Sequence, residues 1–395
     1  MKVFRLLSYV VGLFAWASGL AASWGTENDN LPPEPPVRVT VDLFDQSQPL
    51  TLGLPTIKAE HTILYRATQD SYKYSHHANL GVFQGRLFAA WSSGVAHEDK
   101  NQQRVLYCQS EDGLHWSQPG VLAEDPDGQQ GPLVSLCSGF QTSGDTLVAY
   151  YSVSPTTQFI QVSTVYCITS RDGQSWSEPR KIATGFFMES PRRTSSNRML
   201  LNGQRGNHQP RLMYSDAIDG ISDFNDAEIP PAVELVFPEP TWFERPDGTL
   251  VVLLRSSPND FWLYAAESTD HAVSWSKPVR TNFPDATARS CGGNLPDGSA
   301  YIINNSTQTP RPNIPSLGLR NPLTIALSKD GRVFDRAYVI RNEPTRKRFD
   351  SGTKANGWQY PAAAVWNDYL YVIYSINKED VGVSRIAISE LLGDE

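Results

Sequence analysis

The sequence predicts an all-β protein folded as a single β-propeller, and three observations lead to this prediction. A turn phrase occurs twice in nearly the same form, as SEDGLHWS at 110–117 and as SRDGQSWS at 170–177. Each copy closes a run of alternating apolar and polar residues, which is typical of a tight turn between two strands. Helical periodicity is nearly absent from the chain. A hairpin unit that recurs at long and fairly even spacing is typical of propellers and solenoids.

Composition narrows the class of protein. The chain has 395 residues, of which 40% are hydrophobic, together with 28 glycines and 28 prolines, and this favours a turn-rich globular protein with enough apolar material for a core. The formal net charge of -8 argues against nucleic-acid binding, which a basic surface normally drives. Four cysteines are too few to form the scaffold of a chain this long, so one or two disulfide bridges and buried free thiols both remain open. They are Cys108, Cys137, Cys167 and Cys291.

The N-terminus is typical of a signal peptide over residues 1–22. Lys2 and Arg5 precede an uncharged apolar run that ends in small residues, which is the pattern that signal peptidase recognises. A membrane anchor is the alternative, because the run is only just long enough to span a bilayer. We expect a secreted, extracellular protein with no membrane attachment after cleavage. Overlapping glycosylation sequons at Asn304 and Asn305 fit this route.

Residues 23–38 are polar and rich in proline, so we expect an extended leader into a propeller domain at 39–395. The domain divides into units of four strands, in which the Asp-Gly phrase, or Asp box, connects the third strand to the fourth. Closing such units into a ring protects their edges. Six units can be counted from their turns, and residues 61–67, preceded by 37–44, could supply the missing last strand of the sixth. If these N-terminal residues complete a further unit, the propeller has seven blades.

The order of the strands sorts the loops between two faces. The Asp boxes fall on one face, whereas loops between second and third strands and links between blades fall on the other, where we expect function. His77 enters the first strand of the first unit and His97 lies in its second-to-third loop. The same rule places the following residues on this face: Arg205, His208, Arg211, Arg255, Arg289, Arg320, Tyr360, Lys378, Glu379 and Asp380. Converging arginines suit a carboxylate, which the guanidinium binds bidentately, although each could instead pair with a local acid or cover the surface.

The Asp boxes, the signal peptide and the arginines together resemble the sialidase superfamily of propellers. The early Arg-Ile-Pro element of sialidases has no match, because the nearest segment at 65–68 reads YRAT, and this argues against cleavage of sialic acid. A closer resemblance covers nearly the whole mature chain. The segments that carry it are SHHAN at 75–79, WSSG at 91–94 with Glu98, Asp99 and 103–105, Arg289 followed by GGNLPDG at 292–298, RNPL at 320–323 and YSINKED at 374–380. They are similar to the gum arabic L-rhamnose-α-1,4-D-glucuronate lyases and to related bacterial propellers that cleave rhamnosyl-glucuronate.

This resemblance implies a seven-bladed propeller with a histidine pair on its functional face, at the positions of His77 and His97. It implies a polysaccharide lyase that releases L-rhamnose from an acidic glycan by β-elimination. We expect substrate binding by Arg205, Arg211, Arg255, Arg289, Arg320 and Tyr360. No cofactor is needed for this chemistry, a structural Ca²⁺ on the axis is possible by analogy, and the protein is expected to be a monomer.

Two alternatives remain open from the sequence. An exo-acting hydrolase, a rhamnosidase or a sialidase-like enzyme, would need paired carboxylates, for which Glu189, Glu239 and Glu379 are the candidates. The other alternative is a sugar-binding propeller without catalytic activity.

Overall fold

Four-stranded antiparallel sheets follow one another along the chain of this protein. The structure, a computed structural model, describes residues 34–100, 102–126, 133–156, 162–206, 209–231, 235–256 and 259–393. In most sheets the strands lie side by side in chain order, and the outermost strand of the last sheet comes from the N-terminal part of the chain. The first strand of the first sheet contacts the first strands of both the second and the last sheet. The sheets are therefore blades around a common axis, and the predicted all-β propeller is confirmed.

The elements are as follows. Two strands precede the blades, β1 (Arg38–Val39) and β2 (Glu60–Tyr65). Blade I contains β3 (Tyr74–Phe83), β4 (Arg86–Gly94), β5 (Arg104–Ser110) and β6 (Gly120–Ala123). Blade II contains β7 (Leu133–Ser143), β8 (Thr146–Pro155), β9 (Thr164–Ser170) and β10 (Arg180–Thr184). Blade III contains β11 (Phe186–Phe187), β12 (Arg192–Arg193), β13 (Met199–Gln204), β14 (Pro210–Ser215) and β15 (Asn225–Asp226).

Blade IV contains β16 (Thr241–Glu244), β17 (Leu250–Leu254), β18 (Trp262–Ser268) and β19 (Val279–Pro284). Blade V contains β20 (Cys291–Asn294), β21 (Ala300–Asn304), β24 (Leu323–Ser328) and β26 (Arg336–Arg341), with a small hairpin of β22 (Pro310–Arg311) and β23 (Ile314–Gly318) before β24 and the short β25 (Val333–Phe334) after it. Blade VI contains β27 (Trp358–Trp366), β28 (Tyr369–Ile376) and β29 (Asp380–Ala387), followed by helix α1 (Ile388–Leu392).

The N-terminal strands close the ring. Strand β2 pairs antiparallel with β29, with Glu60 opposite Arg385, and becomes the outermost strand of blade VI. This confirms the expectation that residues 61–67 would complete the sixth unit. Strand β1 makes only a two-residue parallel pair with β25, so it starts no blade of its own. The described part of the chain has six blades, as the turn count predicts, and the seven blades that the resemblance implies are wrong.

The Asp boxes also pack neighbouring blades together. In the first box, Asp112 Oδ1 accepts hydrogen bonds from the backbone N–H groups of Leu114 and His115, at 2.8 and 2.7 Å. Gly113 has a φ of 75°, and a Cβ there would lie 2.1 Å from the Tyr371 ring of blade VI. Glycine is therefore required for the left-handed backbone and for the close approach of the next blade. The repeated phrase predicted the turn, and the structure adds this contact between blades.

Replacing Asp112 by alanine should destabilise the propeller without affecting its functional face. The turn would lose two backbone partners, and such a loss costs about 1–2 kcal/mol in comparable side-chain caps, with the lower figure expected for a carboxylate this exposed. The free energy of unfolding in urea would measure the loss. The neighbouring Glu111→Ala is the control, because no hydrogen bond of the turn uses that side chain. Equal free energies of unfolding for the two variants would show that the hydrogen bonds of Asp112 do not stabilise the propeller.

The burial of side chains settles two questions that the sequence left open, the state of the cysteines and the use of the glycosylation sequons. All four cysteines are buried free thiols, so the disulfide alternative does not hold. Asn304 and Asn305 are both fully buried, and their side-chain amides donate to the carbonyls of Pro284 and Trp358, at 3.0 and 2.9 Å. A glycan on either residue is incompatible with this fold.

The predicted signal peptide at 1–22 and the leader up to residue 33 lie outside the described residues. The end of the leader packs against the propeller, because the Pro36 carbonyl accepts a hydrogen bond from Arg245 and Val37 is fully buried. Within the described ranges no helix has both the length and the apolar character needed to cross a membrane.

Candidate active site

A cavity of about 360 Å³ opens on the face where the second-to-third loops and the blade links meet. Residues from blades I, III, IV, V and VI and from the links between them form its wall. Its cationic residues are Arg255, Arg311, Arg320 and Lys378, and its apolar residues are Phe186, Phe237, Ile314 and Leu317. The cavity is also lined by histidine, tyrosine and acidic side chains, among them His76, His77, Glu98, Asp99, Glu239 and Tyr360. The predicted functional face thus holds a pocket rich in polar groups.

Arg255 and Arg320 are fixed by partners within the protein. Arg255 Nη1 lies 2.8 Å from Glu239 Oε1, and although burial opposes its charge, this carboxylate raises the pKa of Arg255. Arg320 donates to the carbonyls of Ala286 and Thr287, at 2.6 and 2.9 Å. Burial lowers the pKa of Arg320 to about 10, and the nearby Arg311 and Arg255 contribute to the shift. Arg320 therefore remains a cation at neutral pH.

Arg311 differs from these two arginines. It ends β22 in the small hairpin of blade V and is only 9% exposed, yet no described side chain or carbonyl accepts a hydrogen bond from its guanidinium. Burial lowers its pKa, and Arg255 acts in the same direction. Burial raises the pKa of the Asp285 carboxyl, while hydrogen bonds from Ser256 and the charges of Arg320 and Arg255 act in the opposite direction. Among the described residues, Glu239 is the only direct ion-pair partner of the three guanidiniums of Arg255, Arg311 and Arg320. This arrangement favours an anionic ligand.

The cavity also contains a pair of imidazoles. The rings of His76 and His77 have centroids 3.8 Å apart, and the Tyr360 ring lies 4.1 Å from that of His76. Burial lowers the pKa of His76 to about 4, and the Lys378 charge adds to this effect. The pKa of His77 is held well below its usual value by burial, by His76 and by Arg289. Both imidazoles are therefore neutral at neutral pH and can accept a proton.

The backbone is strained where it carries these groups. Glu239, His77, Tyr360 and Lys378 have φ angles of 41°, 51°, 58° and 57°, a left-handed region that residues other than glycine rarely adopt. Irregular pairing interrupts β3 between His76 and Asn79, and β27 between Gln359 and Ala362. Bulges of this kind redirect side chains and occur often beside active sites. The arrangement can hold an anion against neutral groups that exchange protons.

Comparison with known proteins defines the family. The model of the BNR repeat-like domain matches residues 85–372, which is more than half of the chain. The chain belongs to the BNR repeat-like domain family. A search of the curated proteins finds no match.

Solved structures similar to this BNR repeat-like protein are propellers at low identity. A structure described as a sialidase has a TM-score of 0.64 and 19% identity over 89% of this chain, which covers only 35% of that protein. The Trypanosoma rangeli sialidase in complex with sialic acid has a TM-score of 0.60 and 13% identity, with 86% of this chain and 60% of that one covered. A Dyadobacter fermentans protein of unknown function has a TM-score of 0.62 and 14% identity, with 84% and 99% covered. At these identities the similarity shows the sialidase-like fold.

Five of the residues that the sequence places on the functional face line the cavity of the BNR repeat-like protein, namely His77, Arg255, Arg320, Tyr360 and Lys378. His97 is exposed and does not line it, although its Nδ1 lies 3.3 Å from Ser351 Oγ, beside the cavity residue Gly352. Arg205 and Arg211 both pair with Asp226 on the outermost strand of blade III, at 3.2 and 2.7 Å. His208 lies outside the described residues.

Arg289 is buried away from the cavity, near the axis. Its guanidinium lies 3.5 Å from Glu189 and 3.4 Å from Asn79 Oδ1, so side chains from three blades meet there. Glu379 is also internal, and it accepts hydrogen bonds from the backbone N–H groups of Arg348 and Phe349 and from Lys354. Of the three acids considered for a hydrolase, only Glu239 lines the cavity, where it pairs with Arg255.

Sequence reasoning missed His76 and Arg311 as separate site residues. Adjacent residues of a regular strand point to opposite faces, which favours only one of His76 and His77, but the bulge in β3 places both at the cavity. Arg311 lies nine positions before Arg320 in the same connection, and this proximity was a usable signal. Glu98 was quoted in the resemblance, and Lys378 was also placed on the functional face by the order of strands, but no chemical role was attached to either.

Proposed function

We propose that this protein is a carbohydrate-active enzyme, a secreted polysaccharide lyase that releases terminal L-rhamnose from L-rhamnose-α-1,4-D-glucuronate on acidic glycans. The observation that carries the proposal is the presence in one cavity of guanidiniums together with neutral imidazoles and a tyrosine. The sialidase-like fold supports an enzyme that acts on glycans, and the sequence resemblance names the linkage.

The three arginines of the cavity would bind the glucuronate carboxylate. Arg255, Arg311 and Arg320 offer a preformed positive field, and among the described residues only Arg255 forms an ion pair with an acid, Glu239. In β-elimination the proton leaves C5, next to this carboxylate, and negative charge spreads onto the carboxylate oxygens. Fixed cations stabilise that developing charge more than they stabilise the bound substrate.

The histidine pair and Tyr360 would move the protons. A neutral histidine of the pair takes the proton from C5, the electrons form a C4=C5 double bond, and the C4–O4 bond breaks. The departing oxygen leaves with rhamnose and receives a proton from the Tyr360 hydroxyl, so the products are free rhamnose and an unsaturated uronate. General acid and base groups of this kind contribute about 10²–10⁴-fold each to rate.

Incubation with a rhamnose-capped glucuronate oligomer tests the proposal. We expect release of rhamnose together with a rise in ultraviolet absorbance from the new conjugated double bond, in equal molar amounts. A preparation lacking Tyr360 and both histidines is the control for contaminating enzymes. Rhamnose released without absorbance would contradict the lyase.

A hydrolase is the second candidate, and one observation favours it. Asp99 lines the cavity, and burial together with the charge of Glu98 raises the pKa of its carboxyl to about 7. A carboxyl that keeps its proton near neutral pH can act as the acid in glycoside hydrolysis. Hydrolysis would give rhamnose and a saturated glucuronate. A sugar-binding propeller, by contrast, would leave the oligomer intact after long incubation and would bind it without His76 and His77.

A calcium ion on the axis is not part of the proposal. Calcium prefers six to eight oxygen ligands, whereas the buried Arg289 guanidinium lies near the axis, and the described ranges contain no cluster of three or more metal-binding side chains. These residues do not fit such an ion, so no step uses it. The monomeric state and the signal peptide remain predictions.

A further inference from the structure

The side chains of Glu98 and Lys378 lie beside the histidine pair and take no direct part in the proposed reaction. Glu98 Oε1 is 3.1 Å from His76 Nε2 and 2.6 Å from Lys378 Nζ. The three residues come from the first strand of blade I, its second-to-third loop and the last hairpin of blade VI. The Ser75 N–H donates to the Lys378 carbonyl at 2.9 Å, which fixes blade VI against blade I at this point.

The protonation of this group follows from its contacts. Burial would favour a neutral Glu98, but Lys378 and His76 hold the pKa of its carboxyl well below the usual value. An ionised carboxylate can only accept hydrogen bonds. The proton between Glu98 and His76 therefore belongs to Nε2 of the imidazole.

The second nitrogen of His76 is then a free acceptor. A neutral imidazole protonated at Nε2 carries its lone pair on Nδ1. His76 is only 3% exposed, and its Nδ1 has no hydrogen-bond partner among the residues that the structure describes. A buried acceptor without a partner is costly in a folded protein and calls for a functional explanation.

His77 is held differently. Its Nδ1 lies 3.2 Å from Ser92 Oγ, and a hydroxyl can either donate or accept, so this contact fixes neither tautomer. A general base needs its lone pair on a defined nitrogen, and in other enzymes a carboxylate behind the imidazole provides this definition. Only His76 has such a carboxylate.

We infer that Glu98, supported by Lys378, is a positioning residue that fixes the proton of His76 on Nε2 and leaves the lone pair of the imidazole on Nδ1. The choice of His76 as the base rests on the proposed function, whereas the tautomer does not depend on which reaction the site performs.

Two measurements test the inference: NMR determines the tautomer of His76, and steady-state kinetics determine kcat and KM. The ¹⁵N shifts of histidine-labelled protein at neutral pH report which nitrogen carries the proton, and a His76→Asn variant identifies the signal. We expect His76 as the Nε2–H form in the native protein and a mixture of forms in Glu98→Gln. In Glu98→Gln kcat should fall roughly 10–100-fold with KM nearly constant, a loss typical of groups that orient a catalytic side chain. The control Glu124→Gln, an exposed acid paired with Arg104 in the same blade, should change neither.

A native His76 protonated on Nδ1 or doubly protonated would overturn the inference, and so would an unchanged tautomer in Glu98→Gln. An unchanged kcat despite a mixed tautomer would show that His76 is not the base. If Glu98→Gln does not fold, the native spectrum alone decides the tautomer. If the native protein releases rhamnose without ultraviolet absorbance, the lyase fails while the tautomer result stands.

Discussion

Replacing Arg311 by alanine is expected to lower kcat/KM for a rhamnose-capped glucuronate about 100-fold, the effect of losing one or two hydrogen bonds between charged groups. Stability should change little, because no described residue depends on this guanidinium for a hydrogen bond or an ion pair. Replacing Arg255 would not separate an effect on binding from an effect on stability. Its removal leaves Glu239 buried without its partner, and breaking a buried pair in this way typically costs about 3–5 kcal/mol of folding free energy.

A methyl-esterified substrate makes this test specific. The ester lacks the negative charge but keeps the acidic C5 proton, so the native enzyme should process it more slowly than the acid. If Arg311 binds the carboxylate, the Arg311→Ala change should cost much less on the ester than on the acid, which is the logic of a double-mutant cycle. Equal losses on both substrates would contradict a carboxylate contact. Arg280→Ala, which removes an exposed arginine paired with Asp260, is the matched control.

The fold could be predicted from the sequence because turns are encoded locally. The Asp box needs its aspartate and glycine at fixed offsets, and each copy marks the same position in a blade. Counting these turns gives the correct six blades, and the unpaired end of the sixth unit predicts the role of β2. The error came from the resemblance, which implied seven blades. Pairing between β2 and β29 joins residues more than 300 positions apart, and only alternation and edge protection indicate it in the sequence.

The site was predicted in part, for a geometric reason. The order of strands says which face a loop occupies but not how far from the axis its side chains end. Arg205 and Arg211 belong to the expected face, yet Asp226 holds both at the outer edge of blade III. Arg289 is buried near the axis and does not line the cavity. In a regular strand His76 and His77 would point to opposite faces. The bulge at His77 places both at the cavity, and no local pattern in the sequence predicts such a bulge.

Tyr360→Phe is expected to produce the largest loss of activity. The hydroxyl is proposed to protonate the departing oxygen, and removal of a general acid typically lowers kcat by about 10²–10⁴-fold. The phenyl ring keeps the contacts of the tyrosine ring, with His76 at 4.1 Å and with the Lys378 ammonium at 4.9 Å. No described residue forms a hydrogen bond with the Tyr360 hydroxyl, so its loss leaves no buried partner unsatisfied. KM and the unfolding free energy should therefore stay close to the native values.

Tyr374→Phe in the same blade should show the reverse pattern. Its hydroxyl bonds to Ser384 and to Arg341, at 2.8 and 2.7 Å, so the substitution should cost about 1–2 kcal/mol of stability and leave kcat unchanged. Steady-state kinetics and urea unfolding on both variants separate the two effects. A Tyr360→Phe enzyme with native kcat would remove the tyrosine from the reaction and leave a histidine or Asp99 as the candidate acid. A Tyr360→Phe enzyme that is inactive only because it is unfolded would show the same loss in both measurements, whereas a chemical role predicts loss in kcat alone.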